Sequence, residues 1–125
     1  MQRYGPLDSD VYAHLLTWLL LLAAALTFPP KFEDPFTVPA ESFEQDLAVN
    51  ASSAYVALRR AVQGFQTVKA KSSKDKNEVP FVFIATGNVT PFQPSPIAMT
   101  LGSGKAALAY LISVGAEAYK ADGFR

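Results

Sequence analysis

Apolar and polar positions divide this chain into a succession of distinct stretches. From Val11 to Phe28 (VYAHLLTWLLLLAAALTF) the residues are almost continuously apolar, and the run closes at Pro29-Pro30. The next segment, Lys31 to Pro39 (KFEDPFTVP), is rich in turn residues, and its prolines exclude a helix there. From about residue 40 the pattern changes to a stripe. Phe43, Leu47, Asn50, Ala54, Leu58, Ala61, Val62, Phe65 and Val68 recur at intervals of three and four, which predicts an amphipathic helix over 40–70. A polar loop follows, then the bulky run Pro80 to Ala85 (PFVFIA), which reads as a buried parallel strand over 80–86. Thr86-Gly87-Asn88 ends it with turn chemistry, and Pro91, Pro94 and Pro96 keep the following stretch irregular. A second helix is expected over 99–121, running through Ala106, Leu108, Leu111, Ile112 and Val114 and stopping at Asp122-Gly123.

Three elements fit the Val11 to Phe28 run. It is about as long as a minimal membrane helix, although His14 and Thr17 interrupt it. It has the leucine-rich centre and alanine tract of a signal peptide, but Asp8 and Asp10 stand where positive charge is expected. A strand covered on both faces by helices also reads as an unbroken apolar run, and this third reading is the one adopted for 11–28. Residues 1–10 form a polar N-terminal tail. The order is then apolar element, loop, long helix, strand, loop, helix, an α/β organisation within a single partial domain over 1–125.

Composition narrows the chemistry. Eleven basic and eleven acidic side chains cancel, and no basic run is interleaved with aromatics, so no nucleic-acid partner is expected. Lys69, Lys71, Lys74 and Lys76 lie among serines and acids and read as a solvated loop. The chain has no cysteine, hence no disulfide or thiolate site, and a cytoplasmic setting is expected, with a membrane location as the alternative if 11–28 spans a bilayer. One histidine, His14, cannot build a metal site, and no metal is expected. The carboxylate pairs Asp8/Asp10 and Glu33-Asp34 read as solvated turns, and Tyr110 and Tyr119 as packing aromatics on one helix face. Asn50-Ala-Ser and Asn88-Val-Thr fit the glycosylation sequon, but an asparagine within a packed helix is a poor acceptor.

The segment Leu101-Gly-Ser-Gly-Lys105-Ala-Ala-Leu108 carries the chemistry. Together with the helix FEQDLAVN (Phe43 to Asn50) and the strand VFIATG (Val82 to Gly87) about thirty residues on, it resembles the short-chain dehydrogenase/reductase family. The resemblance covers the chain from about Leu19 to Phe124 and corresponds to the central part of a full-length enzyme. It implies an incomplete Rossmann-like, doubly wound fold, mostly helical with one or two parallel strands, and kinship with NAD(P)-dependent oxidoreductases.

The resemblance also assigns roles. Lys105 matches the lysine that holds the nicotinamide ribose and lowers the pKa of a catalytic tyrosine one helical turn earlier. Asn50 matches the helix asparagine that supports the proton relay through a water. Thr86 falls near the serine that orients the substrate carbonyl, with Asn88 as the alternative. Leu101 stands where the tyrosine is expected, and a leucine can neither donate nor accept a proton. Leu22 stands where the family has an asparagine, and no Gly-x-x-x-Gly-x-Gly phosphate loop occurs in the 125 residues. The expected protein is therefore a truncated, catalytically impaired relative, a pseudoenzyme with weak or no NAD(P) binding through Lys105. Tyr55 lies in the region that full-length relatives use as a helical dimer face, so a homo-oligomer through the helices is expected. The alternative is a small membrane-anchored or interaction protein with a helix at 11–28.

Overall fold

The computed structural model describes residues 18–21, 24–71 and 81–125. Residues 1–17, including Asp8, Asp10 and His14, lie outside them, as do Leu22 and most of the lysine loop, Lys74 and Lys76 among it. Strand β1 (Trp18–Leu21) pairs in parallel with β2 (Val82–Ala85), in the register Trp18↔Val82 to Leu21↔Ala85. Within the apolar run the described residues 18–21 are thus strand and not membrane helix. Parallel strands need a long crossover, and the helical segment between them supplies it.

That crossover is where the chain departs from a simple stripe. Helix α1 (Ala40–Leu47) and helix α2 (Ser53–Lys71) are joined by a π turn over Ala48–Ser52, in which the Ser53 N–H donates to the Ala48 carbonyl five residues back. The helix expected over 40–70 is therefore continuous in direction but wider by one residue at Asn50. A π turn sets one extra residue into the ladder, and both Asn50 and Ala51 are buried there. Beyond it the stripe resumes with Ala54, Ala61 and Phe65 buried.

After β2, an irregular segment and a short 3₁₀ turn (Pro96–Ala98) lead into helix α3 (Met99–Ala118). A second 3₁₀ turn (Lys120–Asp122) and Gly123, at φ 76°, reverse the chain. A left-handed conformation there suits glycine. The reversal brings Phe124 alongside Phe81 in a parallel bridge. The Phe83 N–H donates to the Arg125 carbonyl (2.7 Å) and the Arg125 N–H to the Phe81 carbonyl (2.8 Å). Residues 124–125 thus occupy a third parallel position beside β2, and α3 is the crossover that reaches it.

An aromatic core seals this end. Phe65 packs against Phe81 and Phe124 with ring centroids 5.1 and 5.5 Å apart, and Tyr119 lies 5.6 Å from Phe124. Such tilted and edge-on pairs are worth about 0.5–1.5 kcal/mol each beyond area burial. Lys69, within the helix expected over 40–70 and exposed as expected, lies in the last turn of α2, where it pairs with Asp122 (3.1 Å) over the Phe124 ring. Tyr110 and Tyr119 do not share a face. Nine residues are two and a half turns, so Tyr119 joins the core while Tyr110 is 73% exposed.

Helices α2 and α3 run in the same direction. A methyl group placed on Gly104 would collide with Asn50, and one placed on Gly115 would sit 3.8 Å from Leu58, so both helices advance together along the contact. Pro96–Ala118 is also long and apolar enough to cross a bilayer by length and composition, but its residues Thr100, Gly104, Lys105 and Leu108 are buried against the rest of the chain.

Candidate functional site

Close helix packing builds the site. Gly104 lets the backbone of α3 lie directly on Asn50 at the π turn, closer than any side chain at residue 104 would allow. Lys105, the next residue, then faces the carboxyl end of β2. Its ammonium is buried and donates to the Thr86 carbonyl at 2.9 Å. Burial pushes the Lys105 ammonium below its ordinary value, because removal from water penalises the charged form.

Asn50 is almost fully buried, and its carboxamide grips the backbone of Ala25. Oδ1 accepts from the Ala25 N–H (2.8 Å) while Nδ2 donates to the Ala25 carbonyl (2.7 Å). The side chain therefore satisfies backbone groups of the segment that follows β1, which among the described residues has no strand partner of its own. One turn before Gly104, Thr100 does the same for the next residue but one, its Oγ1 accepting from the Thr27 N–H at 3.2 Å. Two side chains from two elements thus fix residues 25–27 against the helices.

Thr86, Lys105 and Asn50 come together around this packing. Thr86 offers Lys105 its backbone carbonyl. The carboxamide of Asn50 is engaged by Ala25. Asn88 is exposed, and its Oδ1 accepts from both the backbone N–H (3.1 Å) and the hydroxyl of Thr90. That turn places Thr90 beside the first turn of α3, where a methyl group on Gly102 would lie 3.3 Å from the Thr90 Cβ. Leu101, between Thr100 and Gly102, is half-buried and one turn before Lys105. Around Leu101 the chain presents a buried ammonium and hydroxyl and amide groups on adjoining loops, but no acid or base at residue 101 itself. Among the described residues no group of three or more histidines, cysteines or carboxylates is placed to hold a metal.

Sequence reasoning missed Gly104, Thr100 and Ala25. Gly104 carries a signal in hindsight, a glycine beside the lysine in a helix otherwise rich in alanine. Ala25 carries none, because it acts through its backbone.

No family model matches the chain. Over 104 residues, 83% of its length, it is 40% identical to the Short chain dehydrogenase/reductase dmxR12 of Cryptosporiopsis sp. (strain 8999). The chain is a relative of the short-chain dehydrogenases/reductases. It spans 39% of that relative's length. Lys105 is buried in this chain, with Leu101 four residues before it.

Proposed function

We propose that this short-chain dehydrogenase/reductase relative keeps the lysine corner of a nicotinamide-nucleotide site and has lost tyrosine-dependent carbonyl/alcohol chemistry. The observation that carries the reading is the contrast between Lys105 and Leu101. Lys105 is held in a fixed, desolvated position at the carboxyl end of a parallel strand, the edge where open α/β sheets bind ligands. One turn away, Leu101 offers a hydrocarbon where proton transfer needs a titratable group.

The residues present fit NAD(P) at one end. Lys105 would donate to the ribose hydroxyls of the nicotinamide half, and Thr86 would lie beside a substrate oxygen. Asn50 would support a water through the turn it shapes. When bound, the nucleotide supplies a hydride. The chain's own residues hold and orient: the Lys105 ammonium stays fixed by the Thr86 carbonyl, and Asn50 keeps residues 25–27 from collapsing into the space. Affinity through this one corner by itself is expected to be weak. The setting that agrees with this reading is cytoplasmic.

Saturation-transfer NMR with NADP⁺ tests it. Contact is expected at the nicotinamide ribose protons and is expected to disappear in Lys105→Met. Contact only at the adenine end, or contact indifferent to Lys105, would overturn the reading. We also propose a homo-oligomer through the helices, since Tyr55 and Val56 on α2 and Tyr110 and Val114 on α3 are exposed apolar side chains on neighbouring elements. Light scattering should then report a multimer that Val56→Lys with Tyr110→Lys dissociates. A monomer at high micromolar concentration in the natural chain contradicts it.

A further inference from the structure

Asp46 lies on α1, one turn before Asn50, with 8% of its surface exposed. Its Oδ2 is buried and meets no hydrogen-bond donor among the described residues. A buried acceptor without a donor is costly and calls for a physical reason. The helix register supplies a candidate. Since α3 runs parallel to the α1–α2 segment with Gly104 on Asn50, one turn back on each element sets Asp46 opposite Thr100. Thr100 is 1% exposed, and its Oγ1 accepts from Thr27, while among the described residues no acceptor meets the hydrogen of its own hydroxyl. The two groups are complementary: a carboxylate oxygen short of a donor, and a hydroxyl short of an acceptor.

We propose that Asp46 is a positioning residue that takes the Thr100 hydroxyl hydrogen through one buried water and completes a chain from Thr27 N–H through Thr100 to Asp46. In that chain the hydroxyl hydrogen points at Asp46, so a Thr100 lone pair is held toward Thr27. Asp46 thereby fixes both the first turn of α3, which carries Leu101, and the segment leaving β1. The inference concerns how the lysine corner is held and stands whether or not a nucleotide binds there.

Amide hydrogen exchange read residue by residue by NMR tests it on the natural chain and its variants. Asp46→Leu should speed exchange of the Thr27 amide by roughly tenfold while leaving the Ala25 amide, held by Asn50, unchanged. Asp46→Asn, whose carboxamide oxygen still accepts, should retain most of the Thr27 protection. Thr100→Ser should retain it as well, and Thr100→Val should abolish it and make Asp46→Leu silent on that background. Thr67→Ala, which removes only the surface bond from the Thr67 hydroxyl to the Gln63 carbonyl, should leave the ratio of the two amides untouched. If Asp46→Leu leaves Thr27 exchange as it was, or if Thr27 and Ala25 accelerate together in step with global stability, Asp46 has no such role. Should Asp46→Leu fail to fold, the Asp46→Asn and Thr100→Val pair decides by the same ratio.

Discussion

Gly104→Ala separates tertiary packing from helix propensity, because the two predict opposite signs. In an isolated helix the change stabilises by about 1 kcal/mol. In this chain the added methyl would collide with the Asn50 Cβ, with Cγ and Nδ2 only 3.2 and 3.3 Å away. Neither side can yield cheaply, since Asn50 is gripped by Ala25 and α3 is an intact helix. Overpacking of this kind costs about 1–3 kcal/mol. If α3 is pushed away, the Asn50 bonds to Ala25 loosen as well, at about 1 kcal/mol each. The net expectation is a loss of about 2–4 kcal/mol, a fall in Tm on the order of 10 °C. Urea unfolding followed by circular dichroism measures it. Two controls share the chemistry without the clash. At Gly115 the methyl would lie 3.8 Å from Leu58, and at Gly64 nothing lies within 4 Å, so both alanine variants should be more stable than the natural chain, by about 0.5–1 kcal/mol. A Gly104→Ala variant as stable as these two would refute the close approach of α3 to Asn50, and with it the placement of Lys105.

Removing the Asn50 carboxamide by Asn50→Ala takes both partners from the half-buried N–H and C=O of Ala25, and about 1–3 kcal/mol should be lost in the same unfolding assay. Asn50→Asp should not rescue it, because a carboxylate would face the Ala25 carbonyl. Lys105 sets a pH dependence whose sign follows from its depressed value. Between its folded value and the ordinary 10.5 the unfolded chain binds more protons than the folded one, so stability should rise with pH through that window and level off above it. Lys105→Met should flatten that rise in unfolding measured from pH 7 to 11. A slope of opposite sign in the natural chain contradicts burial of the ammonium.

Much of this architecture is legible in the residue pattern, and the exceptions share a cause. The stripe from Phe43 to Val68 marks the inward face of the long helical segment, and the strand around Val82–Ala85 follows from its bulky apolar run. The π turn is not legible, because a single extra residue barely shifts a three-and-four spacing. What fixes it is tertiary: Asn50 must reach Ala25, twenty-five residues away in sequence. The third strand position at Phe124-Arg125 is equally hidden, since two residues carry no alternation to read. At the candidate site, Lys105, Thr86 and Asn50 can be picked out as side chains in a familiar order. Yet two of the partners that hold them are backbone groups, the carbonyl of Thr86 and the peptide of Ala25, and a sequence does not display those. The pairing of Lys69 with Asp122 over the Phe124 ring is equally hidden, because it joins residues fifty-three apart in sequence.

The proposed loss of carbonyl chemistry turns on Leu101, which offers no proton-transfer group one turn before Lys105. Turnover of reduced nicotinamide nucleotide with a panel of small aldehydes and ketones, compared between the natural protein and Leu101→Tyr, tests it most directly. The natural protein should consume nucleotide no faster than buffer, and Leu101→Tyr should raise the rate in a manner abolished by Lys105→Met. Carbonyl-dependent turnover by the natural protein, lost on Lys105→Met, would contradict the claim.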